Sequence, residues 1–277
     1  MPRVQVAPLS SAIGGVAGLV VLSVFAHVSP PGWIAACAYL VVSNALLARG
    51  LRRSGMPHFG WANATTAVRS TLVALVTALV VTSFTDPVPA ALLVGIAVPA
   101  LALDAVDGWV ARSTHTQSEL GARFDMEVDA FVLLVLSAYV AQDLGWWVLT
   151  IGALRYLFVA AGWALPWMNA TLPPRYWRKV VTASAGIALV VAASGLFPAW
   201  VAWGVTLAAL ALLLESFGRD VLWLVRHRAV AAPAAMPAES RSLSERSETK
   251  RHPEGPGDPG LVAGLDFDPS TSSGTVP

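Results

Sequence analysis

Eight long apolar segments dominate this sequence and limit what it can fold into. A helix needs about 20 apolar residues to cross the hydrocarbon core of a bilayer, and eight stretches approach that length. Their predicted bounds are 10–28, 33–48, 64–84, 88–112, 121–143, 146–168, 179–195 and 198–226. The links between several of them are short, so neighbouring helices are predicted to run antiparallel. The pattern predicts an all-α polytopic membrane protein with about eight transmembrane helices.

Composition supports this class and argues against others. Hydrophobic residues make up 56% of the 277 residues and charged residues only 13%, whereas a soluble domain carries roughly 25% charged residues. A net charge of +1 leaves no basic footprint, so no nucleic-acid partner is predicted. The single cysteine, Cys37, excludes an intrachain disulfide.

Four aspartates interrupt the apolar background where the fourth segment ends and the fifth begins. Asp104 and Asp107 are three residues apart, and Asp125 and Asp129 are four apart. On a helix each spacing places both carboxylates on one face, and an antiparallel hairpin would bring the two pairs together. Clustered carboxylates repel each other and are costly to bury. Divalent cations that prefer hard oxygen ligands, Mg²⁺ or Mn²⁺, are therefore predicted to neutralise them.

The segment from Asp104 to Asp129, DAVDGWVARSTHTQSELGARFDMEVD, resembles the signature of the CDP-alcohol phosphotransferases. These are membrane enzymes, also called CDP-alcohol phosphatidyltransferases, that build phospholipid headgroups. All eight signature residues stand in order: Asp104, Asp107, Gly108, Ala111, Arg112, Gly121, Asp125 and Asp129. The resemblance implies a six-helix transmembrane core at 60–228 and a homodimer. The two additional N-terminal helices and the basic loop at 1–59 depart from that plan.

The resemblance also implies a reaction. A phosphatidyl group, that is a substituted phosphate, would pass from a CDP-activated lipid such as CDP-diacylglycerol to an alcohol, with release of CMP, in phospholipid biosynthesis. The four aspartates would bind two metal ions, with Asp129 as the general base. The residues implied to bind CDP are Gly108, Ala111, Arg112, Gly121, Asn63, Thr66 and Arg69. The alternative for the last three is helix capping and interaction with lipid headgroups.

Five basic residues favour a phosphorylated polyol as the acceptor, either glycerol phosphate or inositol phosphate. They are Arg123, Arg155, Arg175, Arg178 and Lys179. Two alternatives stand beside the acceptor role: Arg155 forms a structural ion pair with a motif aspartate or Glu215, and the last three are topology signals. Glu119 and Glu127 are interpreted as bystanders. The rival functions are transfer to an amino alcohol such as serine or choline, a non-enzymatic ion-coupled transporter, and a catalytically inactive scaffold.

The basic residues also predict an orientation. With the N-terminus in the cytoplasm, the turns on the opposite side contain no Lys or Arg. The cytoplasmic segments and the helix ends beside them contain Arg3, Arg49, Arg52, Arg53, Arg112, Arg123, Arg175, Arg178, Lys179, Arg226 and Arg228. This bias follows the positive-inside rule. It predicts a multi-pass protein of the cell's inner (cytoplasmic) membrane, with both termini and the aspartate motif facing the cytoplasm. Residues 229–277 are rich in Ala, Pro, Ser and Gly and are predicted to be a disordered cytoplasmic tail.

Overall fold

The structure is a computed structural model that describes residues 3–54, 61–113, 119–169 and 176–227. Side chains are described for 12–46, 48–49, 68–103, 126–165, 167–168 and 177–227. All regular structure within these ranges is helical. The α-helices are α1 (Arg3–Phe25), α2 (Pro30–Ser54), α3 (Trp61–Thr82), α4 (Ala90–Ser113), α5 (Glu119–Leu144), α6 (Leu149–Ala164), α7 (Tyr176–Ala193) and α8 (Ala199–His227). Two 3₁₀ turns, Trp146–Val148 and Pro166–Asn169, flank α6.

Each predicted apolar segment corresponds to one of these eight helices. By length and composition, two helical stretches in the described ranges can cross a membrane: Trp146–Ala164 and Ala199–His227. Three shorter helical stretches are also apolar: Ala12–Phe25, Val68–Thr82 and Ala90–Leu103. The all-α prediction is confirmed for the described residues, and the number of membrane crossings stays a prediction.

Helix α5 lies at the centre of the bundle, where it contacts α2, α3, α4, α6 and α7. Its buried apolar residues recur at helical spacing, as in Val128, Val132, Leu136 and Val140. Because the helix is surrounded on several sides, side chains that leave it in different directions meet different partners. The aspartate motif extends into this helix, so the motif is held by the core of the bundle.

Glycine allows α6 to cross α5 at very short range. A Cβ atom at Gly152 would lie 2.3 Å from the Cα and 2.6 Å from the backbone N of Leu134. No side chain fits there without separating the two helices, since close approach of helix backbones requires glycine or another small residue. This crossing brings the following turn of α6, which carries Arg155, alongside α5.

The two N-terminal helices bond to and pack against α3 at the end of the bundle remote from the aspartates. The backbone N–H of Ser29 donates a hydrogen bond to the Thr82 hydroxyl over 3.1 Å, and the two hydroxyl oxygens lie 3.2 Å apart. A Cβ atom at Gly32 would lie 2.5 Å from the Thr82 hydroxyl oxygen and 2.7 Å from the Ala78 carbonyl oxygen. Helix α2 therefore starts in direct contact with the last turns of α3 and then packs along it.

Candidate functional site

The aspartate motif lies on two helices that contact each other. Asp104 and Asp107 belong to the second half of α4, and Asp125 and Asp129 belong to the first half of α5. Both helices are continuous through these positions, which is the backbone arrangement that the spacing argument requires. That each pair of carboxylates occupies one helix face stays a prediction. Of the four carboxylates, only that of Asp129 is among the described side chains.

Several predicted site residues lie outside the described side chains, and their roles stay predictions. These residues are Asn63, Thr66, Asp104, Asp107, Gly108, Ala111, Arg112, Gly121, Arg123, Asp125 and Arg175. Among the side chains that the structure describes, no group of three or more His, Cys, Asp or Glu residues could hold a metal ion. Three of the four predicted ligands are not in that set, so the metal prediction is untested.

The clearest contact of the motif is an ion pair between α3 and α5. Nη2 of Arg69 donates a hydrogen bond to Oδ1 of Asp129. The Arg69 side chain is only 3% exposed and the Asp129 side chain 25% exposed. A guanidinium buried to this degree requires a carboxylate or other acceptors to offset its desolvation. Arg69 was expected to bind CDP, and that role stays a prediction. Its partner Asp129 carries the carboxylate that was expected to act as the base.

A second ion pair joins α6 to α5 at Glu127, two residues before Asp129. Nη2 of Arg155 donates a hydrogen bond to Oε1 of Glu127 over 2.6 Å, and the side chains are 33% and 47% exposed. The structural alternative for Arg155 named a motif aspartate or Glu215 as partner, whereas the structure shows Glu127. Arg155 Nε is buried and has no hydrogen-bond partner in the described part of the chain. Arg155 thus retains donor capacity at the edge of the motif.

Helices α7 and α8 are tied together by polar contacts at the same end of the bundle. Nη1 of Arg178 lies 3.3 Å from Oδ2 of Asp220, a carboxylate that is only 8% exposed. Glu215 accepts hydrogen bonds from Trp177 Nε1 over 3.1 Å and from Arg219 Nε. Lys179 is exposed. Sequence reasoning missed Asp220, although an acid inside a long apolar helix is itself a signal of a paired or functional group.

The described part of the chain defines a class: a helical, membrane-type bundle with two motif aspartates on each of two contacting helices. The family model described as CDP-alcohol phosphatidyltransferase matches residues 59–214, which is 156 of the 277 residues. The chain belongs to the CDP-alcohol phosphatidyltransferase family. No curated protein and no solved structure matches it.

Membership of this family confirms the resemblance and fixes the general chemistry. Its members are membrane transferases of substituted phosphate groups in phospholipid biosynthesis, which use a CDP-alcohol and a second alcohol as substrates. They generally use divalent metal ions. The matched region begins just before α3 and ends within α8, so α1 and α2 lie outside it.

Proposed function

We propose that this protein transfers a phosphatidyl group from CDP-diacylglycerol to the hydroxyl of a phosphorylated polyol and releases CMP. The acceptor oxygen forms a bond to the β-phosphorus while the bond from that phosphorus to the CMP oxygen breaks. The acceptor proton passes to Asp129. The observation that supports this proposal most directly is the Asp129 carboxylate, which the motif predicts as the base and which Arg69 holds in a fixed contact between α3 and α5.

Asp129 is proposed to act through placement more than through strong basicity. A carboxylate hydrogen-bonded to a guanidinium is a weak base, so proton transfer depends on the acceptor hydroxyl lying within hydrogen-bond distance. The contact with Arg69 restricts the rotation of the carboxylate and therefore fixes the direction from which the hydroxyl must approach. Arg69 would thus orient the base, in addition to any contact with CDP.

The remaining aspartates suit a divalent cation. The donor set is made of carboxylate oxygens on two contacting helices, which is the hard-ligand chemistry that Mg²⁺ and Mn²⁺ prefer. Asp104, Asp107 and Asp125 would be the principal ligands, with Asp129 sharing the second ion. Two bound cations would neutralise the diphosphate and stabilise the CMP leaving group.

The nucleotide is proposed to lie against the motif faces of α4 and α5, where small residues leave space. Gly108, Ala111 and Gly121 would admit the nucleotide close to the two helices, and Arg112 would pair with a phosphate. Asn63 and Thr66 would line the nucleotide end of the site from α3. This assignment rests on the family motif, position by position.

The incomplete hydrogen bonding of the Arg155 guanidinium supports a phosphorylated acceptor. A guanidinium has five N–H donors, and Glu127 engages Nη2 while Nε has no partner in the described part of the chain. A phosphate dianion could bind the remaining donors without breaking the pair with Glu127. Arg123, Arg175, Arg178 and Lys179 would add positive charge around it. Serine or choline would instead need a carboxylate or an aromatic cage for the ammonium group.

CMP release by the purified protein with CDP-dioleoylglycerol and Mg²⁺ tests the function and the acceptor together. We expect turnover with glycerol phosphate or inositol phosphate to exceed turnover with serine or choline. Arg155→Ala should raise the acceptor KM by about 10- to 100-fold, as expected for loss of a charge-assisted hydrogen bond worth roughly 1.5–3 kcal/mol. The matched control is Arg219→Ala, since Arg219 is an exposed arginine of α8 that bonds to Glu215.

Three results would count against this proposal. Preference for serine or choline would transfer the assignment to an amino-alcohol acceptor. An unchanged acceptor KM in Arg155→Ala would refute the role of Arg155 in binding a phosphorylated acceptor. Absence of CMP release with every acceptor would favour a transporter or an inactive scaffold.

We further propose eight crossings with both termini in the cytoplasm, on the basis of the one-sided distribution of Lys and Arg. Reporter fusions at Gly145 and Phe197 should report the non-cytoplasmic side, and fusions at Gln117 and Pro173 the cytoplasmic side. A reversed pattern at any of the four positions would refute this topology. The homodimer, the boundaries 1–59 and 60–228, and the disordered tail at 229–277 stay expectations, which mass measurement in detergent and limited proteolysis would test.

A further inference from the structure

Helix α2 lies outside the family-matched region and nevertheless reaches the helix that carries Asp129. It packs along α3 and also contacts α5. The ring of Tyr39 stacks on the ring of Phe131, with centroids 4.7 Å apart and planes 15° from parallel. Phe131 follows Asp129 by two residues in α5. The charge of Arg69 acts on the Tyr39 hydroxyl, so Tyr39 lies near one partner of the Arg69–Asp129 ion pair. The family match nevertheless begins 20 residues after Tyr39, at residue 59.

The hydroxyl of Tyr39 is unusual in its burial and its hydrogen bonding. It is shielded from solvent and makes no hydrogen bond of ordinary length and angle in the described ranges, although the Ser70 hydroxyl lies near enough for a weak one. Arg69 and Ser70 of α3 lie beside it. A buried hydroxyl without a partner is destabilising, and phenylalanine would provide the same stacking on Phe131 without that cost. Packing alone therefore does not account for a tyrosine at this position.

We propose that Tyr39 is a positioning residue of the transfer site, supplied by a helix outside the family-matched region. In the substrate-bound state its hydroxyl donates a hydrogen bond to the Asp129 carboxylate beside Arg69. This second donor would hold the carboxylate towards the acceptor hydroxyl. The inference rests on the proposed function of Asp129 as the base and assigns part of the site to the N-terminal helix pair.

The groups near Tyr39 favour the Asp129 carboxylate as the acceptor of this hydrogen bond. A tyrosine hydroxyl bonds most strongly to an ionised acceptor, and the Asp129 carboxylate is an ionised acceptor held by Arg69, the neighbour of Tyr39. Ser70 is a neutral alternative on the same turn of α3. Substrate binding and cation binding both change the charge around Asp129. The hydrogen bonds of its carboxylate are therefore expected to differ between the substrate-free and the substrate-bound protein.

Tyr39→Phe separates a positioning role from a structural one. We expect kcat for CMP release from CDP-dioleoylglycerol to fall about 10-fold, as for loss of one hydrogen bond to a charged group, while KM for the CDP-lipid stays within about 2-fold. The Tm of the substrate-free protein should be unchanged or higher, because the variant removes an unsatisfied buried hydroxyl. The matched control is Tyr139→Phe at the opposite end of α5, which should change neither quantity.

A double-variant cycle tests whether Tyr39 acts through the ion pair. In the Arg69→Lys background, the effect of Tyr39→Phe on kcat should shrink to less than about 3-fold, because residues that act as one unit are not additive. Three results would overturn the inference: unchanged kcat in Tyr39→Phe, a lower Tm together with a lower kcat, or a raised KM for the CDP-lipid at constant kcat. A wild-type protein that releases no CMP would instead refute the proposed function, and this inference with it.

Discussion

Asp104→Asn and Asp125→Asn are each expected to lower the rate of CMP release at least about 100-fold, the loss typical of removing one major electrostatic stabiliser. EDTA should abolish turnover, and Mg²⁺ or Mn²⁺ should restore it. The reason is the concentration of carboxylates on α4 and α5, which needs cations to offset repulsion and desolvation. The measurement is initial CMP release from CDP-dioleoylglycerol in a titration of each metal.

The control for this prediction is Asp86→Asn. Asp86 is also an aspartate near α4, but it lies in the link before the helix, where its carboxylate accepts a hydrogen bond from the Thr85 hydroxyl over 2.8 Å. The control should retain wild-type activity and metal dependence. Full activity of the wild type in excess chelator would contradict the metal assignment outright. If an asparagine variant regained the wild-type rate at high Mg²⁺, the substituted aspartate would be a less important metal ligand than we propose.

Apolar length was enough to predict the helices but not where they end. Helix α2 continues to Ser54, whereas the apolar segment was predicted to end at 48. The difference arises because hydropathy falls where arginines begin, while backbone hydrogen bonding continues through them. The opposite error occurs at α6, which begins at Leu149 after a 3₁₀ turn instead of at 146. Gly145, with a φ of 98°, adopts a positive-φ conformation that other residues rarely adopt, and it separates this turn from α5.

The motif was enough to predict which helices carry the aspartates. The partners of the arginines could not be predicted without the tertiary structure. Spacing within one helix shows which residues share a face and cannot show which helix packs against that face. Arg69 meets Asp129 because α3 packs on α5. Arg155 meets Glu127 because Gly152 lets α6 approach the α5 backbone. Glu127 was interpreted as a bystander, since a position between two motif residues projects away from their face.

Asp129→Asn is expected to lower kcat at least about 100-fold, within the range by which general bases accelerate reactions, and to leave binding of CDP-dioleoylglycerol largely intact. An amide cannot take the proton from the acceptor hydroxyl. It does keep a carbonyl oxygen that can accept the hydrogen bond from Arg69. The measurements are single-turnover CMP formation and, separately, the rise in Tm that CDP-dioleoylglycerol with Mg²⁺ produces. Asp143→Asn, the same substitution near the far end of α5, should match the wild type in both.

Stability is the competing explanation for such a loss, because Arg69 is almost fully buried. Removing one partner of a buried ion pair costs about 3–5 kcal/mol when the remaining charge is left uncompensated. The double variant Arg69→Gln with Asp129→Asn replaces the ion pair by two neutral amides and should recover the Tm without recovering turnover. Recovery of turnover together with the Tm would show that the Asp129 carboxylate serves stability alone. Parallel loss of CDP-lipid binding and turnover in Asp129→Asn would make Asp129 chiefly a ligand, and the proton would need another acceptor.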